Sequence, residues 1–138
     1  MHANIILVEL DLSQAAAVAD KLLASTKGKP FWQSTDDYSP LPQECLLFKT
    51  KGDGECFGFA TLRLGEEFVE LYRLFVAPDF RKRRLGTEMF ETVCSWLRSR
   101  EYTEVWIEAS NDVLDFWERA SKGRTVRSAG IGKWCIEL

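Results

Sequence analysis

The sequence predicts a mixed α/β fold in which one twisted sheet carries helices on both faces. Apolar runs of strand length recur along the chain, and three of them are separated only by short turns. Short turns between strands predict an antiparallel meander, whereas a strand, a helix and a strand in succession predict a parallel pair. The expected sheet is therefore mainly antiparallel, with one parallel pair after the meander.

The elements are expected in the order β-α-β-β-β-α-β-α-β, with an irregular loop over 31–42 before the meander. Ser13 is expected to cap the first helix, which ends at Lys27–Pro30. Gly52–Gly54 and Gly65–Glu67 are the expected turns of the meander. The strands are predicted at 4–10, 44–49, 55–64, 68–76, 104–109 and 131–138, and the later helices at 85–99 and 112–121.

Composition favours a single soluble domain over residues 1–138. The chain is 46% hydrophobic and 28% charged, and its formal net charge is −3. An acidic total charge disfavours a general nucleic-acid binder. No signal peptide is visible and no apolar run approaches the roughly 20 residues needed to span a bilayer, so a cytoplasmic protein without membrane contact is expected.

The cysteine and histidine content excludes several kinds of site. Cys45, Cys56, Cys94 and Cys135 form no CxxC pair, and we expect them to be small buried side chains in a reducing compartment. His2 is the only histidine of the chain. This argues against a zinc site and against nucleophilic catalysis by a Ser-His or Cys-His pair, so no metal is expected.

The most informative segment runs from Glu70 to Thr87. An apolar strand is followed by a turn at Pro78, by four consecutive cations at Arg81–Arg84, and by Gly86 at the opening of a helix. A helix start presents unpaired N–H groups and the positive end of the helix dipole. Together with the cations, this predicts a site for phosphate or pyrophosphate on a small ligand.

This segment and the order of the elements resemble the GNAT superfamily of acyl-CoA-dependent N-acetyltransferases. The family signature is a strand ending in Val-x-Pro, then Arg/Gln-x-x-Gly-x-Gly/Ala, then a helix. Val76-Ala77-Pro78, Arg81 and Gly86 fit this signature. Arg84 stands where the signature has its first glycine. Its side chain must turn outward and grip a phosphate, or else it obstructs the site.

The resemblance implies acetyl-CoA as co-substrate and the amine of a small molecule or peptide as acceptor. It implies that the pyrophosphate lies on the turn and helix start. The pantetheine pairs with the third meander strand, and the next strand splays away to admit the thioester. The residues expected to bind the cofactor are Leu74, Phe75, Val76, Arg81, Lys82, Arg83, Arg84, Leu85, Gly86, Thr87, Asn111 and Trp117.

Glu70 and Tyr72 are the candidate catalytic residues. Strand alternation puts both on the face of Val76 unless a bulge intervenes. Glu70 is the expected general base, because apolar neighbours would raise the pKa of its carboxyl toward neutrality. A pairing of Glu70 with Arg63 or Arg73 is the alternative.

Trp117 lies where the resemblance implies a tyrosine that protonates the departing thiolate. An indole cannot deliver a proton at neutral pH, which leaves Tyr72 or water for that step. Trp117 could instead orient or shield the sulfur, or be an ordinary core side chain of its helix.

The loop over 31–42 is where the family builds its acceptor pocket. Aromatic and acidic side chains there would suit a cationic amine, and a solvated loop is the alternative. They are Phe31, Trp32, Asp36, Asp37 and Tyr38. Two other functions stay open: a catalytically silent CoA-binding or interaction module of the same fold, and a module that binds partners through its basic patch. A homodimer is compatible with the sequence.

Overall fold

A computed structural model describes residues 5–24, 43–51, 55–65, 69–81, 84–109 and 113–138. Features predicted in the loop 31–42, in the turn Gly52–Gly54, at Lys27–Pro30 and at His2 lie outside these residues. The strands are β1 (Ile5–Val8), β2 (Gln43–Thr50), β3 (Cys56–Leu64), β4 (Val69–Val76), β5 (Glu104–Glu108), β6 (Val126–Ser128) and β7 (Lys133–Glu137). The helices are α1 (Leu12–Ala24), α2 (Leu85–Ser99) and α3 (Leu114–Ala120), and a 3₁₀ turn at Pro78–Phe80 precedes α2.

The strands form one seven-stranded sheet in the order β1-β2-β3-β4-β5-β7-β6. All neighbouring pairs are antiparallel except β4 and β5, which run parallel. The crossover from β4 to β5 passes through α2. The predicted mixed sheet with a single parallel pair is therefore confirmed.

Helices cover both faces of this sheet, as predicted. On one face, α1 buries Ala15 and Ala19 against Leu47, Phe59 and Phe75. On the other face, the apolar stripes of α2 and α3 pack against side chains from strands β2 to β7. We call these the α1 face and the α2 face.

Helix α1 is capped by Asp11 and not by Ser13, so the predicted cap was wrong by two residues. The N–H of Gln14 donates to Asp11 Oδ1 at 2.9 Å, and the Ser13 hydroxyl donates to the same oxygen at 3.1 Å. These bonds, that of the Gln14 amide first, lower the pKa of the Asp11 carboxyl. A carboxylate at the helix start also meets the positive end of the dipole, which favours Asp11 over the hydroxyl of Ser13.

The end of the chain forms a hairpin in place of the single strand predicted at 131–138. Strand β7 begins at Lys133, and β6 lies beside it at the sheet edge. A strand of three residues is too short for an alternating pattern to be recognised in the sequence. Gly130 and Gly132 have φ values of 131° and 70°, so the hairpin turn uses backbone conformations that suit glycine.

Strand β4 contains a bulge at Tyr72. Its neighbour Arg73 lies opposite Thr61, whereas Leu71 lies opposite Leu62, so Tyr72 is an extra residue on β4. A bulge bends its strand and shifts the side-chain alternation by one position. Relative to the residues after the bulge, each side chain of β4 before the bulge therefore lies on the opposite face from the one that simple alternation predicts.

Strands β4 and β5 meet at one register position, Glu70 opposite Trp106. On its other edge, β5 pairs with β7 over its whole length. The carboxyl-terminal parts of β4 and β5 are therefore separated, and the bulge of β4 lies where this separation begins. The splay that the resemblance implied is present.

Three of the four cysteines are buried, which agrees with their expected role as small core side chains. They are Cys45, Cys94 and Cys135, while Cys56 is partly exposed and all four are free thiols. Burial raises the pKa of the Cys45 thiol to about 11 and that of the Cys94 thiol to about 12. In the part of the chain that the structure describes, no helix has the length and apolarity to cross a membrane.

Candidate active site

A cavity of about 720 Å³ lies where β4 and β5 separate. Its walls come from β4, from the turn that follows, from the first residues of α2 and from α3. The lining residues are Leu71, Tyr72, Arg73, Leu74, Val76, Phe80, Arg81, Arg84, Leu85, Gly86, Thr87, Glu108, Val113, Phe116, Trp117 and Arg119. Of the predicted cofactor residues, Lys82, Arg83 and Asn111 lie outside the described residues.

The edge of β4 supplies main-chain groups to this cavity. The N–H of Ala77 donates to Phe57 O at 2.7 Å, so the main chain of residue 77 faces β3. In an antiparallel strand, the N–H and C=O of one residue point to the same side of the strand, and those of the next residue point to the other side. Those of Leu74 and Val76 therefore face β5 across the cavity, where an extended ligand can pair with them.

Phe75, which was expected to bind the cofactor, does not line the cavity. It lies opposite Phe59 in the ladder with β3, and the two rings stack at 5.3 Å on the α1 face. By the same alternation, its main-chain groups face β3. Leu74 and Val76 are thus the residues of this predicted trio that the structure brings to the cavity.

The first turn of α2 presents a row of amide groups to the cavity. Arg84 is the N-cap and makes no capping bond through its side chain. The first helical hydrogen bond is donated by the N–H of Glu88 to Arg84 O, at 3.3 Å. By helix geometry, the amides of Leu85, Gly86 and Thr87 have no acceptor within the helix. Such a helix start, lining a cavity, is suited to bind an anion.

Arg84 adopts a left-handed conformation, with φ 62° and ψ 16°. An L side chain in this region costs roughly 1–2 kcal/mol, and glycine avoids that cost. This explains in backbone terms why the signature has glycine at this position. The conformation needed to start α2 is retained here with arginine, whose side chain lines the cavity.

We expect Arg84→Gly to raise the free energy of unfolding by about 1 kcal/mol, since relief of the strained conformation exceeds the entropy that glycine adds to the unfolded chain. Arg84→Ala is the matched control, because it removes the guanidinium but keeps Cβ. Urea unfolding of both variants measures the difference. Equal stability of the two variants would contradict the strain.

Gly86 has a packing role that the sequence did not indicate. A Cβ at this position would lie 2.9 Å from Cε1 of Phe116 on α3. The glycine therefore lets Phe116 pack directly on the first turn of α2. The Phe116 ring in turn packs edge to face on Trp117, with centroids 4.9 Å apart, and together they form the α3 wall of the cavity.

The cavity is lined by far more positive than negative charge. Among its described lining residues are four arginines and one carboxylate, namely Arg73, Arg81, Arg84, Arg119 and Glu108. The chain as a whole has a net charge of −3. The positive charge is therefore concentrated at this site, which favours a multiply charged anionic ligand.

Arg81 also ties the turn to the end of β4. Its Nε donates to Val76 O at 2.7 Å, and its guanidinium lies 5.4 Å from the centroid of the Phe75 ring. This carbonyl is on the cavity side of β4. Arg81 therefore links the anion site at the helix start to the strand edge.

Glu70 does not line the cavity, and it lies on the α1 face. Its Oε1 accepts a hydrogen bond from Arg63 Nη1 at 3.0 Å, and both side chains are 18% exposed. The bulge after Glu70 puts Leu74 and Val76 on the opposite face. The simple alternation that grouped Glu70 with Val76 therefore does not hold, and the alternative pairing with Arg63 is present.

Tyr72 lies at the bulge and lines the cavity. The guanidinium carbon of Arg63 is 3.9 Å from its ring centroid, and that of Arg73 is 5.1 Å away. Burial lowers the pKa of the Arg73 guanidinium. Two arginines thus hold the Tyr72 ring at the end of the cavity remote from α2.

Trp117 combines a core position with a place in the cavity wall. It is 6% exposed, and its ring packs edge to face on Phe90 with centroids 5.3 Å apart. Sequence reasoning missed three other lining residues at or near α3, namely its N-cap Val113 and its own residues Phe116 and Arg119. Their spacing of three residues puts them along one side of the helix, and this signal could have identified them.

The fold and the site together define a cleft between two splayed parallel strands, with a helix start suited to an anion at one end. The model of the Acetyltransferase (GNAT) family matches residues 16–121. The chain belongs to this family.

Solved structures share the fold at low sequence identity. The PaiA N-acetyltransferase from Thermoplasma acidophilum in complex with coenzyme A is 14% identical, with a TM-score of 0.64 over 96% of this chain and 97% of that chain. The ribosomal-protein-S18-alanine N-acetyltransferase from Escherichia coli is also 14% identical, with a TM-score of 0.66 over 97% and 92%. A GNAT-family acetyltransferase from Staphylococcus aureus is 12% identical, with a TM-score of 0.65 over 97% and 99%. A search of curated proteins gave no significant match.

Proposed function

We propose that residues 1–138 form a single acyltransferase domain that transfers the acetyl group of acetyl-CoA to a primary amine. The observation that carries this proposal is the cavity between β4 and β5, which joins an exposed strand edge to the amides of the α2 start. Four arginines among its described lining residues supply the charge that a diphosphate needs. Membership of the GNAT family and the coenzyme A complex of the Thermoplasma relative support the same ligand.

Each part of the cofactor has a matching surface in this proposal. The pyrophosphate accepts hydrogen bonds from the amides of Leu85, Gly86 and Thr87, with Arg84 adding charge. The pantetheine extends along β4 and pairs with Leu74 and Val76 in the manner of an added strand. The acetyl thioester then lies near Tyr72, at the bulge.

The reaction is a direct attack in a ternary complex. The amine nitrogen forms a bond to the acetyl carbon, and the carbon–sulfur bond breaks. One ammonium proton passes to Glu70 through water before the attack. The nitrogen loses its second proton as the carbon–sulfur bond breaks, and the thiolate takes a proton from Tyr72 or water, which the second nitrogen proton then replaces. A cavity-facing N–H of β4 stabilises the thioester oxygen, and such a donor typically contributes on the order of 2.7–4 kcal/mol to lowering the barrier.

We expect acetyl-CoA to raise the melting temperature of the protein by several degrees. A ligand at 100 times its Kd adds about 2.7 kcal/mol to stability. Differential scanning fluorimetry with millimolar acetyl-CoA measures the shift. Acetylpantetheine, which lacks the nucleotide and its phosphates, is the matched control ligand and should give a much smaller shift.

The absence of any shift with acetyl-CoA would contradict the proposed function. A shift without thiol release across a broad panel of amines would favour the second candidate, a CoA-binding module without catalysis. The burial of Trp117 among Phe90 and Phe116 favours this alternative, because an indole replaces the expected proton donor.

A further inference from the structure

Residues from both faces of the sheet line the cavity between β4 and β5. Leu74 and Val76 pack against the apolar layer of the α2 face. Glu108, at the end of β5, also lines the cavity but lies on the other face. Val105 and Ile107 are buried in the layer of the α2 face, so by alternation the side chain of Glu108 points to the α1 face. The gap therefore has a carboxylate at its edge on the α1 face.

The side chain of Glu108 is open to solvent beside this gap. It is 68% exposed, and among the described residues its ion-pair partner is Lys133 on β7, with 3.9 Å between Oε2 and Nζ. That distance exceeds a hydrogen bond, and the side chain of Lys133 is itself 49% exposed. A loose surface pair of this kind is weak. An ammonium group at hydrogen-bond distance from the same carboxylate would interact with it more strongly.

Glu108 lies at the level where the thioester is proposed to sit. In the described residues, the two strands pair at Glu70 and Trp106. Glu108 is two residues beyond this position on β5, and Tyr72 is two residues beyond it on β4, so both follow the pairing within roughly 7 Å. In the proposed function, the acetyl group lies near Tyr72. The carboxylate is therefore on the opposite strand, at the level of the reacting group.

The charges around the gap are separated in space. Glu108 is the one carboxylate among the described lining residues, which also include four arginines. Arg81 and Arg84 belong to the turn and the helix start after β4. Arg73 is beside the bulge, but its guanidinium carbon is 5.5 Å from the ring centroid of Phe59 on β3, on the side away from β5. A cation is therefore attracted to the β5 side of the gap, at Glu108.

We propose that Glu108 binds the acceptor as an ammonium ion, so that the substrate class is a strongly basic alkyl amine and not an arylamine. An alkyl ammonium carries three N–H donors and keeps its charge at neutral pH. Glu108 accepts one of these hydrogen bonds and holds the nitrogen beside the thioester until one proton passes through water to Glu70. This inference rests on the proposed acetyl transfer, and it assigns amine binding to Glu108 and proton removal to Glu70.

Glu108→Gln tests the residue, because glutamine keeps the shape of the side chain and removes its charge. Thiol release from acetyl-CoA is measured across a panel of primary alkyl amines. We expect KM for the best amine to rise about three- to tenfold while kcat stays within about twofold, since a partly solvated carboxylate is screened. The melting shift with acetyl-CoA should not weaken. Glu104→Gln, on the same face of β5, is the matched control and should leave KM unchanged.

Benzylamine and p-toluidine test the substrate class. The two amines are isomers, but benzylamine is a cation at neutral pH and p-toluidine is uncharged. We expect the ratio of kcat/KM for benzylamine to that for p-toluidine to fall about three- to tenfold in Glu108→Gln. The comparison between the two enzymes cancels the difference in intrinsic reactivity of the two amines.

Two further measurements separate an effect of charge from an effect on structure. Lys133→Met removes the cation that competes for Glu108, so KM for the alkyl amine should fall about twofold. Added salt should raise KM for the alkyl amine in the unsubstituted enzyme and have a smaller effect in Glu108→Gln.

The outcomes are distinguishable. An unchanged KM in Glu108→Gln, or an equal loss with both isomers, would overturn the inference and leave acetyl transfer intact. A lower kcat at unchanged KM would identify Glu108 as the base and overturn the roles assigned to the two glutamates. A melting shift without thiol release from any amine would overturn the proposed function together with this inference.

Discussion

Glu70→Gln is expected to lower kcat for acetyl transfer by about 10²- to 10⁴-fold, the range that a positioned general base contributes. Glutamine has the same shape as glutamate but cannot take a proton from the ammonium. Glu70 does not line the cavity, so in the proposed reaction the proton reaches it through water. Steady-state thiol release at saturating acetyl-CoA measures kcat, and the melting shift with acetyl-CoA should be unchanged.

Arg63→Met is the matched control for Glu70→Gln. It breaks the same ion pair but leaves the carboxylate of Glu70 in place. A role of Glu70 as base predicts that Arg63→Met retains most of kcat. If both variants lose the same small fraction of activity, the ion pair is structural and the base is another group.

Gly58→Ala is expected to destabilise the protein by about 3 kcal/mol, at the upper end of what overpacking costs. A Cβ on Gly58 would lie 2.4 Å from the carbonyl oxygen of Phe75 and 3.1 Å from Cε of Met89. The methionine can move, but the carbonyl belongs to the backbone of β4. The methyl group must therefore displace β4 opposite Val76, which is where the pantetheine is proposed to pair.

The displacement predicts a second effect of Gly58→Ala, a weaker melting shift with acetyl-CoA. Gly132→Ala is the control, because its φ of 70° disfavours alanine while nothing lies within 4 Å of the added Cβ. We expect Gly132→Ala to cost about 1 kcal/mol and to leave the shift intact. Urea unfolding and fluorimetry measure both quantities, and an equal loss of stability in the two variants would contradict the steric account.

The parts of the fold that the sequence predicted well are those with a strong local pattern. The bounds of α2, Leu85–Ser99, coincide with the prediction because its apolar stripe has a clear helical period. Strand β6 was missed because its three residues are too few to show an alternating pattern of apolar and polar side chains. Asp11 was missed as the cap because Ser13 and Asp11 both satisfy the sequence rule, and only the geometry distinguishes them.

The candidate site was predicted where it is contiguous in sequence and missed where it depends on lateral neighbours. The β4 edge and the α2 start follow each other along the chain, and both line the cavity. The position of the bulge depends on how β4 pairs with β3 on either side of Tyr72, and the local sequence pattern does not record this pairing. Arg119 likewise becomes a site residue only because the fold brings it beside β4 and the start of α2, which are distant in sequence.

The short pairing between β4 and β5, a single register position in the described residues, has a mechanical consequence. The sheet consists of two ladders, β1 to β4 and β5 to β7 with β6, joined at Glu70 and Trp106. Without a ligand, cohesion between these halves comes from the apolar layer beneath α2, which takes side chains from both. An extended ligand lying in the gap would act as an additional strand between β4 and β5, so its binding would lengthen the hydrogen-bonded connection between the two halves of the sheet.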